Sequence, residues 1–263
     1  MGRERILSIV IYDDAHAHER EMRAQLERSV ARLPLVRQLF VRHCADIGEI
    51  VERSGEIIVP GRETFVPGIL HKTLEALAYC ARNYAFDFCV RSKVSTVIDF
   101  ARLPLDELDE GVAYASTYIW HGDAPFASGT NIFLSRAAVA YVLAHRAELD
   151  MRVIDDVALG ALLRRVTTPV QLSVPMAWNA EFDGRSVVYR NRVESRADDV
   201  ARMRRIVDAM LHARERTEGR EGRGGCEGRE GPESPEGPEG LRWLALAVLL
   251  LALTALYALT KHP

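Results

Sequence analysis

Apolar residues in the first part of the chain form short runs that alternate with helical stripes. Residues 6–12 (ILSIVIY) form a β-branched apolar run, which is typical of a strand covered on both faces. Residues 18–33 then place an apolar side chain at every fourth position, which predicts an amphipathic helix. Residues 36–42 (VRQLFVR) are predicted to form a second strand. This spacing predicts a parallel strand–helix–strand unit.

The same alternation continues to about residue 210. The further predicted elements are a helix over 68–84, a strand over 86–91, strand-like segments at 111–120, 131–135 and 169–175, helices beginning at Ser135 and near Ile154, and a terminal helix with Val200, Met203, Val207 and Met210 on one face. We therefore predict an α/β fold with a mixed, mostly parallel sheet flanked by helices, and an antiparallel portion in the second half. Ligands of such sheets bind beyond the carboxyl ends of the strands.

Composition changes sharply after residue 213. Residues 214–240 consist almost wholly of Gly, Glu, Arg and Pro, and such a segment cannot bury enough apolar area to offset chain entropy. We predict a disordered linker there and one folded domain over 1–213. Glu outnumbers Arg in the linker, which argues against a nucleic-acid-binding arm. No nucleic-acid partner is expected.

Residues 243–260 form an uncharged stretch of 18 residues dominated by Leu and Ala, closed by Arg242 and Lys261. A bilayer core requires about 20 such residues, and a buried core helix is the alternative. Because the linker separates this stretch from any core, we predict a transmembrane anchor over 241–263. An anchor at the end of a chain inserts after translation, so we expect a single-pass, tail-anchored membrane protein with its large domain in the cytosol.

Three segments occur in an order that resembles a known family. They are GILHKTLEALAYC…YAFDFCVRSKVST (68–96), ASGTNIFLSRAAVAYVL (127–143) and IDDVALGALL (154–163). Their order resembles inverting, galactosyltransferase-like enzymes of the GT-A fold, such as the β-1,3-galactosyl- and β-1,3-N-acetylglucosaminyltransferases and the Fringe type. It is also similar to hypothetical glycosyltransferase-like proteins, some from large DNA viruses, that lack the acidic DxD motif. The resemblance covers about residues 5–195 at low identity.

The resemblance implies a GT-A-like (Rossmann-like) fold and the transfer of a sugar from a nucleotide-sugar, a UDP-sugar, to a hydroxyl acceptor. It assigns the catalytic base to Asp156, with Asp155 beside it. Inversion at an anomeric carbon requires a carboxylate that takes the proton of the acceptor hydroxyl during in-line attack. Acidic residues at a helix start also cap the helix and complement its dipole. Both interpretations stay open at this point.

Several other residues match the family near the expected site. Ser128 and Gly129 lie in a small-residue turn that would let the backbone approach a sugar, or would only form a tight turn into a strand. Lys72 and Thr73 match a Lys-Thr pair near the donor, and the alternative for Lys72 is an exposed lysine on an amphipathic helix. Asp13 follows the first strand, where the family binds uridine, or it simply ends that strand.

The position of the family's DxD motif holds Lys93-Val94-Ser95 in this chain. In the DxD enzymes those acids hold a divalent ion, such as Mn²⁺, that neutralises the leaving diphosphate. Without them the charge must be met by fixed cations. Arg91 and Lys93, placed in the predicted turn together with Ser95, are the first candidates for this donor-binding role.

Arg190 and Arg192, after the last predicted strand, are further candidates for a phosphate clamp. We therefore predict a metal-independent glycosyltransferase with no metal site and no other cofactor. Two alternatives remain: a glycosyltransferase-like protein without turnover that serves as a binding or scaffold module, and a tail-anchored adaptor whose domain binds a protein. The paired acids at 155–156 favour an enzyme, because an adaptor would use them only as a cap.

Overall fold

A computed structural model describes residues 5–108, 111–122, 124–193 and 195–221. The chain divides into two units, Met1–Glu218 and Gly219–Pro263, and the described residues lie almost wholly in the first. The described strands are β1 (Ile6–Ile11), β2 (Val36–Cys44), β3 (Val51–Arg53), β4 (Glu56–Pro60), β5 (Phe88–Lys93), β6 (Thr96–Ile98), β7 (Tyr114–Ser116), β8 (Ile119–Trp120), β9 (Phe126–Ala127), β10 (Asn131–Ser135), β11 (Val170–Gln171), β12 (Met176–Trp178) and β13 (Val188–Arg190). The described α-helices are α1 (Ala17–Val30), α2 (Gly68–Asn83), α3 (Arg136–Ala144), α4 (Asp155–Leu163) and α5 (Arg196–Glu221).

The central sheet has the strand order β11-β7-β10-β5-β1-β2-β4-β3. Its middle strands β5, β1, β2 and β4 are parallel, whereas β10 runs antiparallel to β5 and β7. The predicted mixed α/β sheet, mostly parallel at its centre and antiparallel in the second half, is thereby confirmed. The chain builds outward from β1 through β2 to β4, and α2 then returns it to β5 on the other side of β1. Such a reversal of strand order creates a crevice at the carboxyl ends of β1 and β5.

Helices cover both faces of β1, as the apolar run in its sequence predicted. Leu7, Ile9 and Ile11 belong to a core with residues of α2, α3 and α4. Val10 belongs to a second core on the opposite face, formed with α1 and α5. Each residue of β1 is buried, which is the arrangement that a β-branched strand without alternating polarity requires.

Several strand boundaries differ from the prediction. β5 continues to Lys93 instead of ending at Arg91, because it stays paired with β1 as far as Ile11. Arg190 lies within β13, which pairs with β6 and β12, and does not follow a strand. The strand predicted over 169–175 is reduced to two exposed residues of β11 at the sheet edge.

Ser135 caps α3 as predicted, because its Oγ accepts a hydrogen bond from the Ala138 N–H.

The terminal helix α5 packs against the sheet through the predicted apolar face, whose members Val200, Met203, Val207 and Met210 are all buried. This helix continues to Glu221, so the beginning of the segment predicted as a linker is helical. The remaining linker, 222–240, and the predicted anchor, 241–263, lie outside the described residues. Among the residues that are described, none of the helices is long and apolar enough to cross a bilayer.

Candidate functional site

A cleft of about 810 Å³ opens at the carboxyl ends of β1 and β5, where the strand order reverses. Its walls come from the segment after β1, the loop before α2, the β8–β9 hairpin, the start of α4 and the segment after β13. Most of the side chains that the sequence nominated line this cleft: Asp13, Lys72, Lys93, Ser95, Ser128, Gly129, Asp156, Arg190 and Arg192. Of the other nominated residues, Arg91 and Asp155 are buried beneath it, and Thr73 is buried within α2.

Asp156 occupies the first turn of α4 and faces the cleft while only 8% exposed. Its Oδ2 accepts a hydrogen bond of 2.9 Å from the Gly129 N–H, and its Oδ1 accepts one of 3.0 Å from the Val157 N–H. The carboxylate therefore accepts a backbone N–H of the first turn of α4 and also borders the cleft, although the N-cap residue of this helix is Ile154 and no side chain caps it. Two backbone donors fix its orientation.

Arg91 and Asp155 form a buried ion pair under Asp156. The Arg91 guanidinium also donates to the Gly129 carbonyl at 2.5 Å. We expected Arg91 to meet a ligand directly from a turn, but it lies two residues inside β5, so its side chain ends beneath the start of α4. The pair fixes the start of α4 and the turn at Gly129 relative to one another.

Gly129 has a physical reason to lack a side chain. A Cβ built there would lie 2.9 Å from Asp156 Oδ2 and 3.1 Å from Arg91 Nη1, closer than real Cβ contacts allow. The Asp156 carboxylate approaches the Gly129 backbone, and the same residue forms the turn into β10. A role of Gly129 in sugar binding stays a prediction.

Lys93 and Arg190 bring positive charge to the centre of the cleft. Burial, together with the nearby Arg91 charge, lowers the pKa of Lys93 to about 8. Burial, with Arg192 and Arg196 nearby, lowers the pKa of Arg190 to about 10. Within the described parts of the chain, no carboxylate forms an ion pair with Lys93, Arg190 or Arg192. This side of the cleft therefore carries positive charge that a bound anion would compensate.

Ser95 is hydrogen-bonded to one of these cations, Arg190. Its Oγ accepts a hydrogen bond from the Arg190 guanidinium, which also reaches Thr96 Oγ1 at 3.5 Å. Its carbonyl accepts from the Asn191 N–H at 2.9 Å. The turn after β5 thus holds the arginine segment after β13 in place.

Lys72 lines the opposite wall and is buried, so the interpretation as an exposed lysine is wrong. Its Nζ donates to the Tyr12 carbonyl at 2.9 Å and pairs with Glu63 Oε2 at 2.5 Å. Burial would raise the pKa of Glu63, but hydrogen bonds from His43 and Lys72 outweigh it and lower this pKa to about 2. The Lys72 ammonium is therefore already neutralised, which sets it apart from Lys93.

Asp13 also lines this wall and organises the turn after β1. Its N–H donates to Glu19 Oε2 at 2.6 Å, and its Oδ1 accepts from the Ala15 N–H at 2.9 Å. It ends the strand, as one interpretation held, and still borders the cleft.

The residues around Lys93 do not fit a divalent ion. Lys93 and Arg190 would repel a cation, and the nearest carboxylates, Asp155 and Asp156, are bonded to Arg91 and to backbone N–H groups. In the described ranges, no group of three or more His, Cys, Asp or Glu side chains converges as metal ligands do. The charge of this site suits an anion.

Sequence reasoning missed several residues of the cleft. Arg196 lies close to the two nominated arginines in the sequence, and the basic spacing of 190–196 was a usable signal. Trp120, Trp178 and Phe65 also line the cleft, but no periodicity distinguished them from core aromatics. Only the tertiary arrangement shows that they are exposed.

Comparisons with known proteins give no family assignment. No protein-family model and no curated protein matches the chain. Among solved structures, the chain is similar to a glycosyltransferase involved in the glycosylation of the major capsid of PBCV-1, with 8% identity, a TM-score of 0.49 and coverage of 76% of this chain and 98% of that one. It is also similar to the glycosyltransferase GlyE of Streptococcus pneumoniae TIGR4, with 9% identity, a TM-score of 0.42 and coverage of 82% and 64%. Similarity at this level establishes neither the family nor the activity of this chain.

Proposed function

We propose that the chain is an inverting glycosyltransferase of GT-A-like fold that transfers a sugar from a UDP-sugar to a hydroxyl acceptor and uses fixed cations in place of a divalent ion. The observation that carries this proposal is that Asp156 and Lys93, which forms no ion pair with a described carboxylate, line one cleft at the reversal of strand order. A carboxylate and an anion-binding cluster on one crevice are the two groups that such a reaction needs.

Asp156 is the general base of the proposed reaction. Its carboxylate takes the proton of the acceptor hydroxyl while the acceptor oxygen forms a bond to the anomeric carbon. The bond from that carbon to the diphosphate oxygen breaks, and its electron pair leaves with the diphosphate. In-line attack on the face opposite the leaving group inverts the configuration.

Lys93, Arg190 and Arg192 stabilise the negative charge that develops on the diphosphate. Ammonium and guanidinium groups bind phosphate oxygens through charge-assisted hydrogen bonds, and these bonds are strong where burial excludes water. Lys93 and Arg190 are partly or fully buried and form no ion pair with a described carboxylate, so both cations are available.

Arg91 and Asp155 act as positioning residues. Their buried pair holds the start of α4 against the Gly129 turn, whose N–H orients the base. Displacements of about 1 Å at a reacting group cost on the order of a hundredfold in rate. The pair therefore supports catalysis without contact to substrate.

A panel of nucleotide-sugars, tested for thermal stabilisation of the full chain in EDTA and in Mn²⁺, examines the proposal. A ligand at about 100 times its Kd adds about 2.7 kcal/mol of stability, so a bound UDP-sugar is expected to raise Tm by several degrees in EDTA. The full chain is used because α5 continues beyond residue 213. Product anomers determined by NMR then report inversion.

Three results would contradict the proposal. If no nucleotide-sugar stabilised the chain, a nucleotide-sugar donor would be excluded. Stabilisation that requires Mn²⁺ would contradict the role of the cations. Donor binding without transfer to any hydroxyl acceptor would leave a binding module with the same fold.

A further inference from the structure

The cleft displays aromatic side chains that the proposed chemistry does not use. Phe65, Trp120 and Trp178 are 65%, 49% and 46% exposed, and all three line the cleft. The other strongly exposed large apolar residues, among those described, are the aliphatic Leu35, Val166 and Val170, and they lie outside it. Burial of a large apolar side chain is favourable by about 1.5–3 kcal/mol, so exposed aromatics gathered in a concave site indicate a ligand that covers them.

Trp120 belongs to the same rigid assembly as the proposed base. It lies opposite Phe126 in the β8–β9 hairpin, with ring centroids 6.4 Å apart and planes 23° apart. The hairpin leads directly into Gly129, which bonds to Asp156. Gly160 of α4 leaves no room for a Cβ against Phe126, so the hairpin packs directly on the helix that begins with the base.

Trp178 is connected to Trp120 through Tyr118. The Tyr118 ring meets Trp120 edge to face at 5.3 Å and 86°, and it meets Trp178 at 6.4 Å and 84°. Asn179 follows with φ of 49°, and its side chain accepts from the Arg192 N–H at 2.6 Å and donates to the Arg192 carbonyl at 3.2 Å. Trp178 is therefore held between the Trp120 hairpin and the arginine segment.

We propose that Trp120 and Trp178 form a platform for a pyranose ring of the acceptor, so that the acceptor hydroxyl belongs to a sugar and not to a serine or threonine of a protein. This inference rests on the proposed function. A pyranose presents one face of C–H groups, which stacks on an electron-rich aromatic face, and a rim of hydroxyls, which form hydrogen bonds. The cleft combines both features, because Ser128, Thr130 and Asp156 line it together with the two indoles.

The side of the cleft distinguishes the acceptor from the nucleoside. A general base must reach the acceptor hydroxyl within hydrogen-bond distance, so the acceptor lies on the Asp156 side, and Trp120 is on the hairpin that leads to this side. Tyr12 and Asp13 line the cleft at the end of β1. The nucleoside is therefore assigned to this part of the cleft. The tryptophans are thus assigned to the acceptor.

Titration of the full chain with methyl pyranosides, at saturating UDP, tests the platform. The probes are the methyl α- and β-glycosides of galactose, glucose, mannose, xylose, fucose, N-acetylglucosamine and N-acetylgalactosamine, with Kd measured by ligand-observed NMR. We expect Trp120→Ala and Trp178→Ala each to raise the Kd of the best pyranoside at least tenfold, and Trp120→Phe to raise it less than threefold. The Kd for UDP is measured on the same samples.

Leu35→Ala is the matched control, because Leu35 is as exposed as Trp120 and lies outside the cleft. Its pyranoside and UDP affinities should equal those of the unmodified chain, and circular dichroism confirms that each variant is folded. Unchanged pyranoside affinity in both alanine variants would overturn the platform. A loss of UDP affinity with no loss of pyranoside affinity would also overturn it, because the tryptophans would then stack on the nucleobase.

The failures of the two proposals are distinguishable. UDP binding without binding of any pyranoside overturns the platform and leaves the donor site intact. Pyranoside binding that depends on the tryptophans, without UDP binding, overturns the transferase and supports a sugar-binding site on the same residues.

Discussion

At the residue scale, the two adjacent acids at the start of α4 make different contacts. Asp155 turns inward to Arg91, whereas Asp156 borders the cleft and is oriented by the Gly129 N–H. Both lie in the first turn of α4, about 100° apart around the helix axis. One turn of helix therefore supplies a structural acid and a candidate base.

Asp156→Asn should lower kcat by about 10²–10⁴-fold, the range typical for loss of a general base. The amide oxygen can still accept the Gly129 N–H, whereas the amide nitrogen faces the Val157 N–H, so one of the two backbone hydrogen bonds is lost together with the proton acceptor. Initial rates of sugar transfer, with the Kd for UDP on the same sample, measure this. We expect the Kd to change less than threefold.

Asp155→Asn serves as the comparison for that variant. It leaves the buried Arg91 without its anionic partner, and breaking a buried pair costs about 3–5 kcal/mol. Its main effect should thus be a lower Tm. Full activity of Asp156→Asn, or equal loss of stability in both variants, would contradict the separate roles.

Lys93 should make diphosphate binding depend on pH. The pKa of Lys93 is about 8, so the ammonium is charged at pH 7 and loses its charge as pH rises through 8. The Kd for UDP should therefore rise several-fold between pH 7 and pH 9. A terminal phosphate has its second pKa near 6, so the diphosphate group does not titrate in this window. Isothermal titration calorimetry across the window measures the effect.

Lys93→Arg and Lys93→Ala separate charge from other causes. Arginine stays ionised up to about pH 12, so its binding curve should be flat. Alanine should bind weakly at every pH. A pH dependence that persists in both variants would assign the titration to another group.

At the element scale, α5 is tied to the domain beyond its apolar stripe. Arg214 donates to Asp99 Oδ1 at 2.6 Å and to the Ser29 carbonyl at 2.8 Å. Asp99 is buried beside β6, whereas Ser29 lies at the end of α1. The helix therefore joins two elements through one side chain, and the structural domain extends past residue 213.

Arg214→Ala should lower the free energy of unfolding by about 3 kcal/mol, because it leaves the Asp99 carboxylate buried and unpaired. For a domain of this size that corresponds to a fall in Tm of roughly 6–12 °C. Differential scanning calorimetry of the full chain measures this loss of stability.

Arg216→Ala is the matched control, since Arg216 is exposed and forms no ion pair with any described residue. It should change stability by less than about 0.5 kcal/mol, and an equal loss in both variants would contradict the anchoring role.

At the scale of the whole molecule, charge is distributed unevenly. The formal net charge of the chain is −3 and several carboxylates also line the cleft, yet Lys93, Arg190 and Arg192 lie in it without an ion pair to a described carboxylate. Attraction of an anion is therefore a local property of this crevice. Charges at the mouth are screened by salt over a Debye length of about 10 Å at 0.1 M, whereas buried charges are screened less.

UDP affinity should consequently fall by roughly tenfold between 50 mM and 500 mM NaCl. Arg192 is exposed at the mouth, so Arg192→Ala should make this salt dependence shallower. Arg216→Ala, remote from the cleft lining, should leave it unchanged. Titrations at four salt concentrations measure the slopes, and equal slopes in both variants would contradict an exposed cation at the mouth.

The sequence determined the elements whose side chains repeat with a clear period. The run of β1, the stripe of α5 and the cap at Ser135 depend on local chemistry, so each was predictable from its own residues. It also nominated most of the residues around the cleft, because loops after parallel strands meet at one edge of a sheet. The positions of these residues after predicted strands were sufficient to nominate them.

Only the tertiary structure decided which nominated residues face the cleft. Arg91 and Lys93 occur two residues apart in one strand, but the first is fully buried and paired with Asp155 of α4, whereas the second is half-buried and lines the crevice. Contacts between distant segments also decide that Glu63 neutralises Lys72 and that the two tryptophans stay exposed. Burial and pairing depend on which distant segments come into contact, and one strand or helix does not encode that information by itself.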